Sequence, residues 1–189
     1  MTGAAWDPGG LWVVAPALGA YLLHAPVLRW DLLRPLARPL DGGATFRGRR
    51  VLGDNKTWRG ALVMAAGVVL AALLLSRLPA FAACWPAPLR AHPLGYALLL
   101  ALGFVAGELP NSFLKRQLGV APGAQRRSPV GMALALYDQV DFVPGIWLAL
   151  GPLWWMPAAQ VLTLLAVAAA LHLCVNGVGY AIGARKGWL

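Results

Sequence analysis

The stretch FRGRRVLGDNKTWRG, residues 46–60, holds five Arg or Lys residues and three glycines, and an apolar run follows it directly. For Arg29, Arg34 and Arg38, close to a membrane boundary, topology and attraction to anionic lipid account for the charge. Arg47 to Arg59 differs, because Gly48, Gly53, Asp54 and Thr57 interrupt it. Glycines let backbone N–H groups turn towards an anion, and Arg forks match phosphate oxygens. Gly48 and Gly53 have the glycine spacing of a P-loop, but Asp54-Asn55 precede Lys56-Thr57 and no strand precedes the loop. An ATPase loop is rejected. A loop suited to a polyphosphate remains, and Thr57 serves equally as N-cap of the helix that follows.

The chain has seven acids, and three of them, Glu108, Asp138 and Asp141, fall in hydrophobic segments. Carboxylates at membrane depth are expensive and usually functional. Asp138 and Asp141, in LYDQVDF, are three apart and share a face if they stand on a helix. Adjacent carboxylates repel unless a cation compensates them. Mg2+ does so, binding one or two carboxylates together with substrate phosphates. The alternatives are that the pair caps a helix or ties down arginines, and that Glu108 makes a salt bridge across the bundle instead of joining the metal site. Between these acids lies SFLKRQLG, residues 112–119, where Lys115 and Arg116 enforce topology or face the first basic loop. Two such loops suit a nucleoside triphosphate with Mg2+. His24 and His172 lie on apolar stretches and read as packing residues, and Trp154 and Trp155 as interfacial anchors.

The elements that must position these groups are membrane helices. Of 189 residues, 59% are hydrophobic and 12% charged, with mean hydropathy +0.64, against about 25% charged in soluble domains. A span needs about 20 apolar residues. Five segments qualify, at 9–28, 60–81, 93–113, 131–156 and 157–182, giving an all-α integral membrane protein with one domain over residues 1–189. Of the 16 basic residues, 14 fall on one side: eight from Arg29 to Arg59, then Lys115, Arg116, Arg126, Arg127, Arg185 and Lys186. Arg77 and Arg90 fall opposite. The positive-inside rule then places the N-terminus outside and two basic loops, forming the active site, on the cytoplasmic face of the cell membrane. No Lys or Arg precedes Arg29, so a signal peptide is not expected. Cys84 and Cys174 form no disulfide framework or metal spacing.

Together FRGRRVLGDNKTWRG, SFLKRQLG and YDQVDF followed by an apolar span resemble the CDP-archaeol synthase family, within the CTP-dependent lipid cytidylyltransferases. The resemblance implies transfer of CMP from CTP, with Mg2+, to a lipid phosphate, releasing pyrophosphate. Gly53, Asp54, Lys56, Thr57 and Arg59 match the family's nucleotide-site loop. Ser112, Lys115 and Arg116 match its second motif, and Asp138 and Asp141 its carboxylate pair. Asn55 stands where Gly is expected and Glu108 where Asp is expected, and the stretch from Gly123 to Asp138 is longer than the family pattern. On this reading Asp138 and Asp141 hold Mg2+, with Glu108 as third ligand or support. Lys56, Lys115 and Arg116 neutralise the triphosphate and the pyrophosphate, and Arg49, Arg50 and Arg59 steer CTP or the lipid phosphate. No nucleic-acid partner is expected.

A CDP-alcohol phosphotransferase would carry further spaced aspartates after Asp41-Gly42, and only Asp54 follows. A small transporter of anions or lipids is the alternative from another class. It would need a polar path through the membrane, whereas the outer halves of the spans are almost purely apolar.

Overall fold

The computed structural model describes residues 9–121 and 128–181. Asp7, Arg126, Arg127, Arg185, Lys186 and the side chain of His172 lie outside the described residues. The chain opens with α1 (Gly9–Val14), a 3-10 turn over Ala15–Ala17, and α2 (Leu18–Arg29). A hairpin of β1 (Thr45–Phe46) and β2 (Arg49–Arg50) precedes α3 (Trp58–Ser76). The short α4 (Pro79–Ala82) and α5 (Ala87–Ala91) lead into α6 (Pro93–Gln117). Then come α7 (Pro129–Tyr137), α8 (Phe142–Leu150) and α9 (Ala158–Ala181).

Local chemistry sets the ends of these helices. Thr57 Oγ1 accepts from the Gly60 amide at 3.1 Å and starts α3. Pro79 then pushes Leu78 into extended backbone, so α3 stops at Ser76 and the expected run to residue 81 is divided. Gly119, at φ +74°, closes α6: its amide donates to the Arg116 carbonyl and that of Val120 to the Lys115 carbonyl, at 3.0 and 2.9 Å. This extends α6 four residues past the expected end, so Lys115 and Arg116 are helical. Ser128 Oγ caps α7 with Pro129 following.

Among the described residues, α3 and α6 are long and apolar enough to cross a membrane alone, and α7 with α8 makes a third crossing if the bent pair is one span. The expected single helix over 131–156 is thus two helices meeting at 45°. Asp138 and Asp141 lie in the bend, not on one helical face. The first expected span is interrupted at Pro16.

Helix α6 is the centre of the molecule, packed on α3 and α8, with α2 lying against α3. Glycine permits the close contact of α6 and α8. A Cβ on Gly107 would lie 2.8 Å from the Asp141 carbonyl oxygen, and one on Gly145 would lie 2.2 Å from that of Gly103. Close backbone approach through small residues is the usual solution where lipid replaces the hydrophobic drive. Tyr96, Leu100, Phe104, Val143, Ile146 and Leu150 fill the core, while leucines such as Leu22, Leu74 and Leu162 face outward.

Candidate active site

The first basic loop is organised around a carboxylate. Asp41, whose side chain is only 2% exposed, receives four hydrogen bonds. Its Oδ1 accepts from Arg50 at 2.7 Å and from the Gly43 amide at 3.0 Å. Its Oδ2 accepts from the amides of Leu52 at 2.9 Å and Gly53 at 3.2 Å. Burial would raise this carboxyl, but the donors from Arg50, Leu52, Gly43 and Gly53 outweigh it and hold Asp41 well below the usual carboxylate range. The Gly53 amide, expected to face a phosphate, is therefore taken by an anion of the chain itself. Glycine is still required there, because its φ is +92°. Arg50 also reaches Asp54 at 2.7 Å, so both residues shape the loop.

Gly48 has a turn role: Arg47 and Gly48, at φ +52° and +75°, form the two-residue turn between β1 and β2. The hairpin rests on the end of α6. Arg49 donates to the Gln117 carbonyl, Gln117 Nε2 donates to the Arg50 carbonyl at 3.2 Å, and the rings of Phe46 and Phe113 lie 5.8 Å apart. The two basic segments therefore meet. Arg59 turns away towards α2, donating to Asp31 at 2.7 Å and to the Leu32 carbonyl at 3.2 Å.

On α6, Glu108, Asn111 and Lys115 recur at helical spacing and carry the centre of the site. Glu108 pairs with Lys56 from the loop, as the salt-bridge alternative anticipates. Lys115 pairs with Asp138. Asn111 Nδ2 donates to Asp138 Oδ1 at 2.6 Å and to Asp141 Oδ2 at 2.9 Å. Asp141 precedes α8 without capping it, so the capping alternative fails for this residue. Among the described residues no three Asp, Glu, His or Cys side chains gather as a metal cluster, so the expected trio with Glu108 is not assembled. Lys56 holds the Glu108 carboxylate, as Lys115 holds that of Asp138. The aspartates do converge, since one nitrogen atom bonds both.

Ser112 and Arg116 are buried beside these groups. Arg116 is 7% exposed, and its Nε and Nη1 have no hydrogen-bond partner among the described residues. A buried guanidinium with unused donors is costly unless an anion engages it. Next to the Lys56–Glu108 pair, a cavity of about 420 Å³ opens between α2, α3 and α6. Asp54, Asn55, Lys56, Thr57, Arg59, Glu108 and His24 give its polar wall; Leu28, Met64 and Val105 give part of its apolar wall. Thr57 contributes there while its hydroxyl oxygen caps α3.

The oxygen-only chemistry of Asp138 and Asp141, which share the Asn111 amide as donor, fits a hard cation such as Mg2+. Sequence reasoning missed Asn111 and Asp41. Asn111 was visible as an amide in an apolar helix at i−4 from Lys115, a signal too common to single out. Asp41 lies beside Gly42-Gly43, and nothing local shows that residues 52 and 53 return to it.

The chain matches the family model described as CarS-like CDP-archaeol synthase over residues 20–189. It is 42% identical over 156 residues to a CDP-archaeol synthase of Halobacterium salinarum, covering 78% of this chain and 81% of that one. Against the CDP-archaeol synthase of Methanosphaerula palustris it is 39% identical over 155 residues, covering 78% and 87%. A solved structure, described as structural insight into an intramembrane enzyme for archaeal membrane lipids biosynthesis, superposes with TM-score 0.65 at 27% identity, covering 88% of this chain and 91% of that one. Fold and site thus define a membrane-embedded cytidylyltransferase. Within that class, the chain belongs to the CDP-archaeol synthase family. Membership sets the transporter alternative aside.

Proposed function

We propose that the protein transfers CMP from CTP to the phosphate of a glycerol lipid at the cytoplasmic face of the membrane. Arg116 carries this reading: a buried cation with two unused donors, beside a convergent carboxylate pair. Relatives named for archaeol favour the isoprenoid-ether lipid as acceptor over an acyl glycerol phosphate. The cytoplasmic placement rests on charge: Lys56 and Arg59 stand at one end of α3 and Arg77 at the other, and Lys115 and Arg116 end the helix that Arg90 precedes.

In the reaction, an oxygen of the lipid phosphate attacks the α-phosphorus of CTP. A new P–O bond forms, the bond from the α-phosphorus to the bridging oxygen breaks, and pyrophosphate leaves with that electron pair. The nucleophile is already ionised, so no general base is required. Bringing two anions together is the difficulty, and catalysis is positioning plus charge neutralisation. Arg116 and Lys115 receive the phosphates, and Lys56, paired with Glu108 two turns before Lys115 on the same face of α6, adds its charge. Asp138 and Asp141 would hold Mg2+, which when bound offsets phosphate charge. Arg49 fixes the hairpin through the Gln117 carbonyl, while Arg50, Asp54 and Gly53 keep the loop in shape and Arg59 fastens it to Asp31. The lipid tails stay in the bilayer, against the apolar outer faces of the helices.

Purified protein incubated with CTP, Mg2+ and either phosphatidic acid or its di-ether isoprenoid counterpart tests the reading by mass spectrometry. A CDP-lipid from the di-ether phosphate is the expected product. A folded, CTP-binding protein that makes no CDP-lipid from either would overturn it.

A further inference from the structure

We propose that Asn111 is a positioning residue that holds Asp138 and Asp141 convergent so that a divalent cation finds its ligands already in place. The inference rests on the reading above in one respect, that this pair is the cation site.

The geometry allows little else. Asn111 is 1% exposed, and its Nδ2 spends both hydrogens on the two aspartates, at 2.6 and 2.9 Å. Ionised carboxylates only accept hydrogen bonds, so the amide must present its nitrogen to them. Its Oδ1 is buried with no partner among the described residues. A buried acceptor left unsatisfied is unfavourable, so this side chain is not oriented to satisfy itself. It is oriented to satisfy the carboxylates.

A neutral double donor suits this task better than a cation. Two carboxylates brought together, here with Asp141 buried and Asp138 partly open to solvent, repel, and either separate or take up a proton. Lys115 already occupies the other oxygen of Asp138. A second ammonium between the carboxylates would compete with a metal for the same position, whereas an amide directs them without cancelling their charge. The backbone keeps the distance: one turn before Asn111, Gly107 lies against Asp141 and Phe142, so α6 and the bend approach too closely for any side chain there. Pro110, just before Asn111, also lacks an amide to donate within α6.

Asn111→Leu keeps the branching of the side chain, at a somewhat larger volume, and removes the donor; Asn111→Asp keeps the shape and adds a third carboxylate. Mn2+ binding to detergent-purified protein, read by electron paramagnetic resonance of free Mn2+, gives a dissociation constant without any turnover. Groups that orient metal ligands typically change metal affinity by about 10- to 100-fold, and a weakening in this range is expected for Asn111→Leu. Asn111→Asp should melt below wild type in chelator and gain more than wild type from added Mn2+, a response that a residue important only for packing would not give. Wild-type Mn2+ affinity in folded Asn111→Leu would overturn the proposal. Asp138→Asn separates the two levels: unchanged Mn2+ binding in that variant would overturn the cation site itself, and the role of Asn111 with it.

Discussion

Lys56, two residues before α3, is ion-paired with Glu108 in the middle of α6, which fastens the loop to the helix that carries Asn111, Lys115 and Arg116. Both side chains are about one-fifth exposed. The pair therefore joins the loop to the helix that carries the reaction centre.

Removing one partner should leave the other charge uncompensated. Glu108→Leu is expected to lower stability by about 1–3 kcal/mol and to reduce activity, while Glu108→Asp retains the pair and most of both. Thermal unfolding in detergent and initial rates check this. A double-mutant cycle with Lys56→Met should show coupling between the two positions; additive effects would contradict the bridge.

Asp41 makes the loop sensitive to acid in a defined sense. Its carboxyl is depressed in the folded protein, so its stabilisation is present in full above the ordinary value of 3.8. It is lost as pH falls below that value towards the depressed one. Asp41→Asn should therefore expose residues 41–56 to protease at neutral pH. The difference from wild type should stay constant between about pH 8 and 5 and shrink only in stronger acid. Equal cleavage at neutral pH would refute the anchoring role.

The contact of α6 with α8 predicts which glycines tolerate a methyl group. Gly145→Ala forces a Cβ onto the Gly103 carbonyl and should cost about 1–3 kcal/mol by overpacking, with loss of activity as the bend shifts relative to α6. Gly177→Ala, whose added methyl meets nothing within 4 Å among the described residues, should leave activity unchanged. Unfolding temperatures and rates of the two variants make the comparison.

Thr57 separates a structural role from a substrate role. Thr57→Ala should cost about 0.5–2 kcal/mol, the range for a lost N-cap, and Thr57→Ser should restore it. A variant with normal stability but weakened CTP binding would assign the hydroxyl to the nucleotide instead.

Much of this was legible from residue types. Family, membrane class and site motifs followed from charge sorted against long apolar runs and from three short segments. What escaped was the way local punctuation divides those runs. Pro79 stops α3, Gly119 closes α6 beyond Lys115 and Arg116, and the expected fourth helix bends at the aspartates. Partner choice escaped too. Gly53 was expected to offer its amide to phosphate, but Asp41, twelve residues earlier, already takes it. Hydropathy and motif spacing carry no record of which distant carboxylate will return to a loop. Asn111 escaped because its importance lies in reaching two residues 27 and 30 positions away.

The central claim is tested most directly by pyrophosphate release from CTP in the presence of lipid phosphate and Mg2+, compared among wild type, Asp138→Asn and Arg116→Met. Release that requires all three components and falls about 100-fold or more in both variants, with folding retained, is the predicted result. Undiminished release in folded Asp138→Asn or Arg116→Met would contradict the site described for this protein.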